Sequence, residues 1–195
     1  MKKAVTIIVA IVAAFGFTIL PAMAQPPVIT LERVEVAAIQ PFFMKPRVDF
    51  KNEKETGKDL PVGAMLNLAY VLHIKNPGKA PVMLDELSFT TSFDGFEVAT
   101  PMVYEDQWIP GGKTNELRVV VASETLPTVG NLSVGTGNVA RMQEMKTNAG
   151  TLVKKWWETV GDFAFPIEVT NGTALFKDEK GKEIRVTFSG NWPKK

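Results

Sequence analysis

The residue types that most often catalyse reactions are scarce in this sequence. His73 is the only histidine, and there is no cysteine. A histidine that acts as a general base needs a nucleophile to activate and a carboxylate to orient it, and the spacing around His73 supplies neither. The lack of cysteine excludes thiol catalysis, haem attachment through a CxxCH motif and cysteinyl zinc sites. We therefore predict that the chain is not an enzyme and has no catalytic residue, with His73 on a solvated strand face.

Paired carboxylates near predicted turns are the remaining candidates for a metal site. They are Asp85 with Glu86, Asp94 with Glu97, and Glu105 with Asp106. Such pairs can bind a hard cation such as calcium, but the sequence has no D-x-D-x-D-G loop of the kind that calcium sites use. We predict that these are solvated acidic residues and that no metal is bound.

A glycine-rich segment, Gly135-Thr136-Gly137-Asn138-Val139-Ala140, fits the GxGxxA pattern of dinucleotide-binding turns. That pattern binds a dinucleotide only when it follows a strand in a parallel βαβ unit. The surrounding strands are separated by hairpin-type turns, which favour an antiparallel sheet. We predict a simple loop-to-helix junction with Asn138 as a candidate helix cap, and no cofactor.

Apolar residues recur at steps of three and four after Gly135, which is the spacing of one helix face. They are Val139, Met142, Met145, Ala149, Leu152, Val153, Trp156, Val160 and Phe163. The pattern predicts one helical segment over about 138–161, kinked or divided at Asn148-Ala149-Gly150 and ended by Gly161.

Trp157 is the most interesting residue of that segment, because it falls about 100° round the helix from Trp156. One interpretation places Trp156 in the core and leaves Trp157 half-buried. The other makes Trp157, with Met142 and Met145, a surface that contacts a protein partner or a membrane, since tryptophan is enriched in both settings.

Alternating apolar residues predict most of the remaining chain as strands. The clearest pair is Leu66 to Ile74 and Leu87 to Phe93, joined through Asn76-Pro77-Gly78, which we expect to fix the register of these two central strands. Further strands are expected at Val28–Ile39, Val103–Pro110 and Leu117–Ala122, and after Phe163, with a turn at Thr170-Asn171-Gly172 and a hairpin loop at 178–182. Phe42 and Phe43, in the loop 40–61, are expected to cover the core or to form a contact patch. The fold class is therefore mainly β (α+β), an immunoglobulin-like or fibronectin-III-like antiparallel β-sandwich with one helical segment.

The N-terminus has the features of an export signal. Lys2 and Lys3 precede an uncharged run over residues 4–20, and Pro21 and Ala22-Met23-Ala24 follow it. This order predicts a signal peptide over residues 1–24, cut after Ala24, and a single domain over 25–195. The alternative is an uncleaved membrane anchor, because the run is at the lower limit of the roughly 17–25 apolar residues that cross a bilayer. Either alternative places the domain outside the cytoplasmic membrane, in the periplasm or in the extracellular space.

Several short motifs together resemble the WHy domain of LEA14-type (late embryogenesis abundant group 2) proteins. They are Leu72-His73-Ile74-Lys75-Asn76-Pro77, Val82 to Leu87, Phe93-Asp94-Gly95-Phe96-Glu97-Val98 and Ile109-Pro110-Gly111-Gly112 followed by Leu117 to Val121. The usual Asn-Pro-Asn is Asn76-Pro77-Gly78 here. The resemblance implies a fibronectin-III-like sandwich, no cofactor and a role linked to stress or desiccation.

The balance of charges limits the choice of partners. The chain has 22 basic and 21 acidic residues, so it carries no electrostatic footprint for nucleic acid. We expect a non-enzymatic binding or protective domain of the cell envelope that contacts a protein partner or a membrane surface, with no small-molecule substrate. The alternative is an accessory or assembly subunit of a membrane complex, held by an uncleaved N-terminal helix.

Overall fold

A computed structural model describes residues 25–41, 44–49, 54–61 and 63–194. The predicted signal peptide or anchor over residues 1–24 and the loop residues Phe42 and Phe43 lie outside the described residues. Within the described ranges, no helix is long and apolar enough to span a bilayer.

The described chain is mainly strand, with a short helical stretch before the last two strands. In chain order the elements are β1 (Val28–Ile39), β2 (Met44–Asp49), β3 (Lys54–Pro61), β4 (Met65–Lys75), β5 (Val82–Phe93), β6 (Phe96–Ala99), β7 (Met102–Ile109), β8 (Thr114–Glu124), α1 (Thr125–Val134), α2 (Thr136–Glu144), α3 (Ala149–Thr159), a 3₁₀ turn (Val160–Asp162), β9 (Ile167–Asp178) and β10 (Glu183–Trp192).

Two antiparallel sheets form the body of the domain. The first has the order β1-β4-β8. The second has the order β10-β9-β5, and β6 and β7 lie one after the other along the free side of β5. Strands β2 and β3 pair only with each other among the described residues. The predicted α+β sandwich is therefore confirmed.

The alternation of β4 shows why the sheets close on each other. Its inner face carries Leu66, Leu68, Tyr70, Leu72 and Ile74, which are at most 2% exposed. Burying each such side chain contributes about 1.5–3 kcal/mol, so one register of the strand is strongly preferred. Across the core, the Tyr70 hydroxyl bonds the Thr91 hydroxyl of β5 and so joins the two sheets. Burial raises the pKa of Tyr70, although the bond to Thr91 acts in the opposite direction.

The prediction that Asn76-Pro77-Gly78 fixes the register of β4 against β5 is wrong, because the two strands do not pair. These strands are the centres of different sheets, and the segment carries the chain from one sheet to the other. The Asn76 side chain is buried, and its Nδ2 donates to the carbonyls of Ala80 at 2.9 Å and Ile109 at 3.0 Å. Its Oδ1 accepts from the Gly78 N–H at 3.0 Å. Asn76 therefore ties this crossover to the end of β7.

Gly111 makes the second crossover, from β7 to β8, pack closely against the first. A Cβ added at Gly111 would lie 2.1 Å from the Lys79 carbonyl oxygen. Because no side chain fits there, only glycine allows this backbone approach.

The helices lie at the opposite end of the sandwich and differ in part from the prediction. The division at Asn148-Ala149-Gly150 is confirmed, and Asn148 caps α3 because its Oδ1 accepts from the Thr151 N–H at 2.9 Å. Helix α1 was not predicted. Gly135 is the residue that precedes α2, so Asn138 lies in the first turn and is not its cap. Gly161 belongs to the 3₁₀ turn, and the left-handed residue after it is Phe163, with φ 48°.

The predicted turn at Thr170-Asn171-Gly172 is a bulge inside one continuous strand, β9. Asn171 has φ 51°, and the pairing of β9 with β5 and with β10 shifts register at this point. Gly172 is required because an added Cβ would meet the Phe188 carbonyl oxygen at 2.5 Å. Strands β9 and β10 are joined at 178–182 by the predicted hairpin loop. In that loop Asp178 Oδ1 accepts from the N–H groups of Lys180 and Lys182.

Candidate interaction surface

The outer face of the second sheet carries large apolar side chains that solvent reaches. Met102, Tyr104 and Trp108 of β7 are 55%, 72% and 50% exposed. They pair with Ser88, Glu86 and Met83 of β5, which are only partly buried. We call Met83, Glu86, Met102, Tyr104 and Trp108 the β7 face. Tyrosine and tryptophan placed together on an exposed strand are typical of protein-binding surfaces.

A bulge in the edge strand β7 gives this face an acidic border. The pairing shifts between Leu84 and Glu86, and Glu105 and Asp106 are the β7 residues at that shift. Both are exposed. Bulges and charges at an edge strand disfavour pairing with the edge of another sheet. A protein partner would therefore contact the side chains on the face of β7 more readily than it would pair with the backbone at its edge.

Hydrogen bonds to strand β8 hold β7 in place. The Trp108 carbonyl accepts from Asn115 Nδ2 at 3.0 Å, and Gln107 Nε2 donates to the Glu116 carbonyl at 3.5 Å. The Tyr104 hydroxyl donates to Met102 Sδ at 2.6 Å. The first two bonds hold β7 on β8, and the third joins the exposed side chains of Tyr104 and Met102. A surface held in place in this way loses less entropy on binding.

The cation on the neighbouring strand β9 is already paired. Lys177 Nζ lies 2.9 Å from a carboxylate oxygen of Asp85, which raises the pKa of Lys177. Burial lowers that pKa to a smaller degree, and the carboxylates of Glu183 and Asp106 add to the increase. The β5 and β7 side chains of the face and its border supply Glu86, Glu105 and Asp106 and no cation.

The contact residues chosen from the sequence are placed differently. Trp157 is 2% exposed and Met142 is 6% exposed, so neither offers the surface that a contact role needs. The physical reason is that α3 is covered on two of its faces, so that Trp156 on one face and Trp157 on the next are both buried. Met145 is 46% exposed and remains available. Phe42 and Phe43 fall in the part of the chain that the structure does not describe.

Tyr104 and Trp108 were missed, although a signal was present. The sequence predicts a strand over Val103–Pro110, and Met102, Tyr104 and Trp108 share one parity along it. Residues at alternate positions of a strand point to the same face of the sheet. A single sequence does not report that, in the part of the chain that the structure describes, no other element covers that face.

His73 lies on the outer face of the first sheet, within a network of charges. Its Nδ1 is 3.8 Å from Glu32 Oε2 and its Nε2 is 3.6 Å from Glu116 Oε2. Arg33 Nε donates to Glu35 Oε1 at 2.7 Å, and Arg118 Nε is 3.3 Å from Glu35 Oε2.

This charge network covers part of β4. The paired residues Arg33 and Arg118 flank Val71, which is fully buried although it points outward. Arginine stems commonly cover apolar surface while the head groups stay in water. The network is therefore a solvated cover for the strand.

The carboxylate of Asp94 is not a solvated turn acid. Its side chain is 13% exposed, and Oδ2 accepts from Lys155 Nζ at 2.7 Å and from Trp156 Nε1 at 2.8 Å. Arg141 donates to the carbonyls of Asp94 and Gly95 at 3.0 Å each. Among the described residues, no cluster of three or more metal-ligating side chains occurs.

The GxGxxA segment has no dinucleotide-binding context. It follows helix α1 directly, whereas that motif needs a strand before it and a parallel sheet around it. Both sheets here are antiparallel.

A groove of about 500 Å³ opens at the helical end of the sandwich. Its lining includes Phe163, Phe165, Pro166, Glu168, Trp192 and Pro193. The rings of Phe163 and Trp192 meet edge to face, with centroids 5.8 Å apart. The indole Nε1 of Trp192 has no hydrogen-bond partner among the described residues, but it is buried and does not face the groove's solvent.

Comparison with known proteins yields no family. No family model and no curated protein matches the chain. The structural genomics target SoR45 is similar with 10% identity and a TM-score of 0.43, over 88% of this chain and 91% of its own. The AT1g01470 protein of Arabidopsis thaliana has 12% identity and a TM-score of 0.38, over 84% and 82%. A protein from Archaeoglobus fulgidus has 9% identity and a TM-score of 0.36, over 81% and 98%. With TM-scores below 0.5, these similarities carry no argument about this chain.

Proposed function

We propose that this chain is a non-enzymatic binding domain of the WHy/LEA14 type that acts outside the cytoplasmic membrane by contact with a protein partner. The observation that carries the proposal is the β7 face, because Tyr104 and Trp108 are half or more exposed on a strand that hydrogen bonds hold in place. Exposed aromatic residues cost solubility, so their retention on one face is best explained by contact with a partner.

Two sequence features support the location and the class. The uncharged run over residues 4–20, followed by Ala22-Met23-Ala24, fits export. The motifs around Asn76-Pro77 and Pro110-Gly111-Gly112 resemble the WHy domain, whose link to stress suggests that the bound partner is protected or stabilised by the contact.

Site-specific photo-crosslinking in cells tests the proposal. A photoreactive phenylalanine analogue replaces Tyr104 in one variant and Val120 in another. Val120 is the matched control, because it is 49% exposed on the outer face of the first sheet. We expect a specific crosslinked protein from position 104 and none from position 120. Equal crosslinking from both positions, or from neither, would contradict a dedicated β7 contact.

The second candidate function is an accessory subunit of a membrane complex, and the length of the uncharged run over residues 4–20 favours it. Intact mass of the protein recovered from cells separates the two. A mass that lacks residues 1–24 removes the anchored form, and a full-length mass in the membrane fraction supports it.

A further inference from the structure

Building on the proposed function, we propose that the β7 face binds an extended, cationic segment of its protein partner. The face and its border combine aromatic rings with carboxylates that form no ion pair with another described residue. Both groups attract lysine and arginine, the rings through their π faces and the carboxylates through charge. The class of partner is thus set by two independent properties of the same surface.

The charge balance on this face is one-sided. Glu86 stands opposite Tyr104 in the strand pairing, and Glu105 and Asp106 occupy the adjoining bulge. The cation beside them, Lys177, is held by Asp85 at 2.9 Å. On β10, Arg185 is 3.4 Å from Glu183. The face therefore presents net negative charge to an approaching partner.

This charge argues for a polypeptide and against a lipid surface. Exposed aromatic residues also occur on proteins that bind membranes, but those surfaces carry basic residues that attract anionic headgroups. Glu86, Glu105 and Asp106 would repel such headgroups. A cationic peptide meets attraction at the same positions.

The strand geometry argues for an extended segment. Met102 and Tyr104 are two residues apart on β7, which places them about 7 Å apart along the strand. An extended peptide presents alternate side chains at the same spacing, so apolar and basic residues can meet the rings and the carboxylates in turn. The bulge and the bonded Trp108 carbonyl disfavour addition of the peptide to the β7 edge.

Binding of defined peptides to the purified protein tests the inference. The probe is a fluorescent peptide of about ten residues, alternating valine and lysine, which is long enough to follow β7. The matched probe alternates valine and glutamate. Fluorescence anisotropy should show saturable binding of the lysine peptide that weakens with added salt, and no binding of the glutamate peptide.

Variants locate that binding. Trp108→Ala and Tyr104→Ala should each weaken it about tenfold or more, as aromatic anchors do. The double change Glu105→Gln with Asp106→Asn should weaken it and reduce its salt dependence. Val120→Ala should leave it unchanged. Binding that is insensitive to Trp108 and Tyr104, or equal for both peptides, overturns the inference, as does Trp108-dependent binding to phosphatidylglycerol vesicles without binding of the lysine peptide.

Collisional quenching measures the local charge without any partner. The difference in emission between the protein and its Trp108→Phe variant reports Trp108, because Trp156, Trp157 and Trp192 are present in both proteins. Quenching by each ion is expressed relative to its quenching of free N-acetyltryptophanamide, because iodide is intrinsically the stronger quencher of indole. On that scale caesium should quench Trp108 more than iodide does, and a higher relative value for iodide would contradict the negative face. If crosslinking from position 104 succeeds while the lysine peptide fails to bind, the proposed function stands and this inference falls.

Discussion

The indole N–H of Trp156 donates to the Asp94 carboxylate at 2.8 Å, which joins helix α3 to the two-residue turn between β5 and β6. Lys155 binds the same carboxylate oxygen, and Arg141 of α2 donates to the backbone of the turn. The rings of Trp156 and Phe93 pack edge to face, with centroids 5.4 Å apart. The aspartate thus gives the helical layer a fixed position on the sandwich.

Replacing Asp94 should loosen that layer. Asp94→Ala should lower the free energy of unfolding by about 2–3 kcal/mol, because a buried indole N–H loses a charged acceptor. Asp94 also has φ 50°, which alanine adopts poorly. Asp94→Asn tolerates that φ and keeps an acceptor, so it should cost less, about 1 kcal/mol. Urea unfolding followed by tryptophan fluorescence measures both. An Asp94→Asn variant as stable as the parent would contradict a role for the charge, and equal losses in the two variants would contradict a role for the neutral acceptor.

Asn76 should be among the least replaceable polar residues. Its side chain makes three hydrogen bonds while only 1% exposed. Asn76→Ala leaves two carbonyls and one N–H without their partner, and we expect a loss of about 2–4 kcal/mol. Asn76→Asp should lose more at neutral pH, because a buried carboxylate would face the carbonyls of Ala80 and Ile109. Thermal unfolding at pH 7 and at pH 5 checks this. A smaller deficit for Asn76→Asp at the lower pH is expected, as protonation restores one donor, and an aspartate variant as stable as the parent would contradict the assignment.

Two glycine substitutions test the close packing of the crossovers, one at Gly111 between β7 and β8 and a control at Gly130 in α1. Gly111→Ala should destabilise the protein by more than 2 kcal/mol, because its Cβ would overlap the Lys79 carbonyl. Gly130, in the middle of α1, has open space around an added Cβ. Gly130→Ala should stabilise by about 0.5–1 kcal/mol through helix propensity. Urea midpoints measure both changes, and a neutral Gly111→Ala would show that the two crossovers are not in close contact.

The free energy of unfolding should decrease in acid, because Glu35 of the charge network on the first sheet becomes protonated. The hydrogen bond from Arg33 lowers the pKa of Glu35 below its ordinary value of 4.5, and Arg118 adds to the effect against partial desolvation. A lowered folded-state pKa means that ionised Glu35 stabilises the protein above its ordinary pKa, and that this contribution is lost as the pH falls through the folded value. Urea midpoints between pH 7 and pH 3 should therefore decrease less for Glu35→Gln than for the parent. Glu144→Gln, on the exposed surface of α2, serves as control and should follow the parent.

The sequence predicted the elements better than their partners. Alternation identified β4, β5 and β10 because burial on one sheet face has a period of two. It could not assign β4 and β5 to different sheets, since that depends on the strands that pair with each. Asn171-Gly172 predicts a turn, and the structure has a bulge there, because the same residue types serve turns and bulges. Helix α1 was missed because Pro127 and Gly130 resemble loop residues, although proline is tolerated in the first turn of a helix.

The candidate site shows the same limit. Helix periodicity placed Trp156 correctly in the core, but it left Trp157 half-buried because the pattern describes one face and says nothing of a second covering layer. Tyr104 and Trp108 could be assigned to one strand face. That no described element packs on this face is a property of the tertiary structure, which strand periodicity does not report.

The placement of β4 and β5 in separate sheets has a consequence for how the chain folds. Strand β4 needs β8, which ends at Glu124, and β5 needs β9, which ends at Asp178. Hairpins such as β9–β10 form from neighbouring residues, but neither central strand completes its sheet locally. Pairings this distant make folding slow and late. During synthesis the core cannot close until β9 has been made, so the ordering of the sandwich waits for residues 167–178.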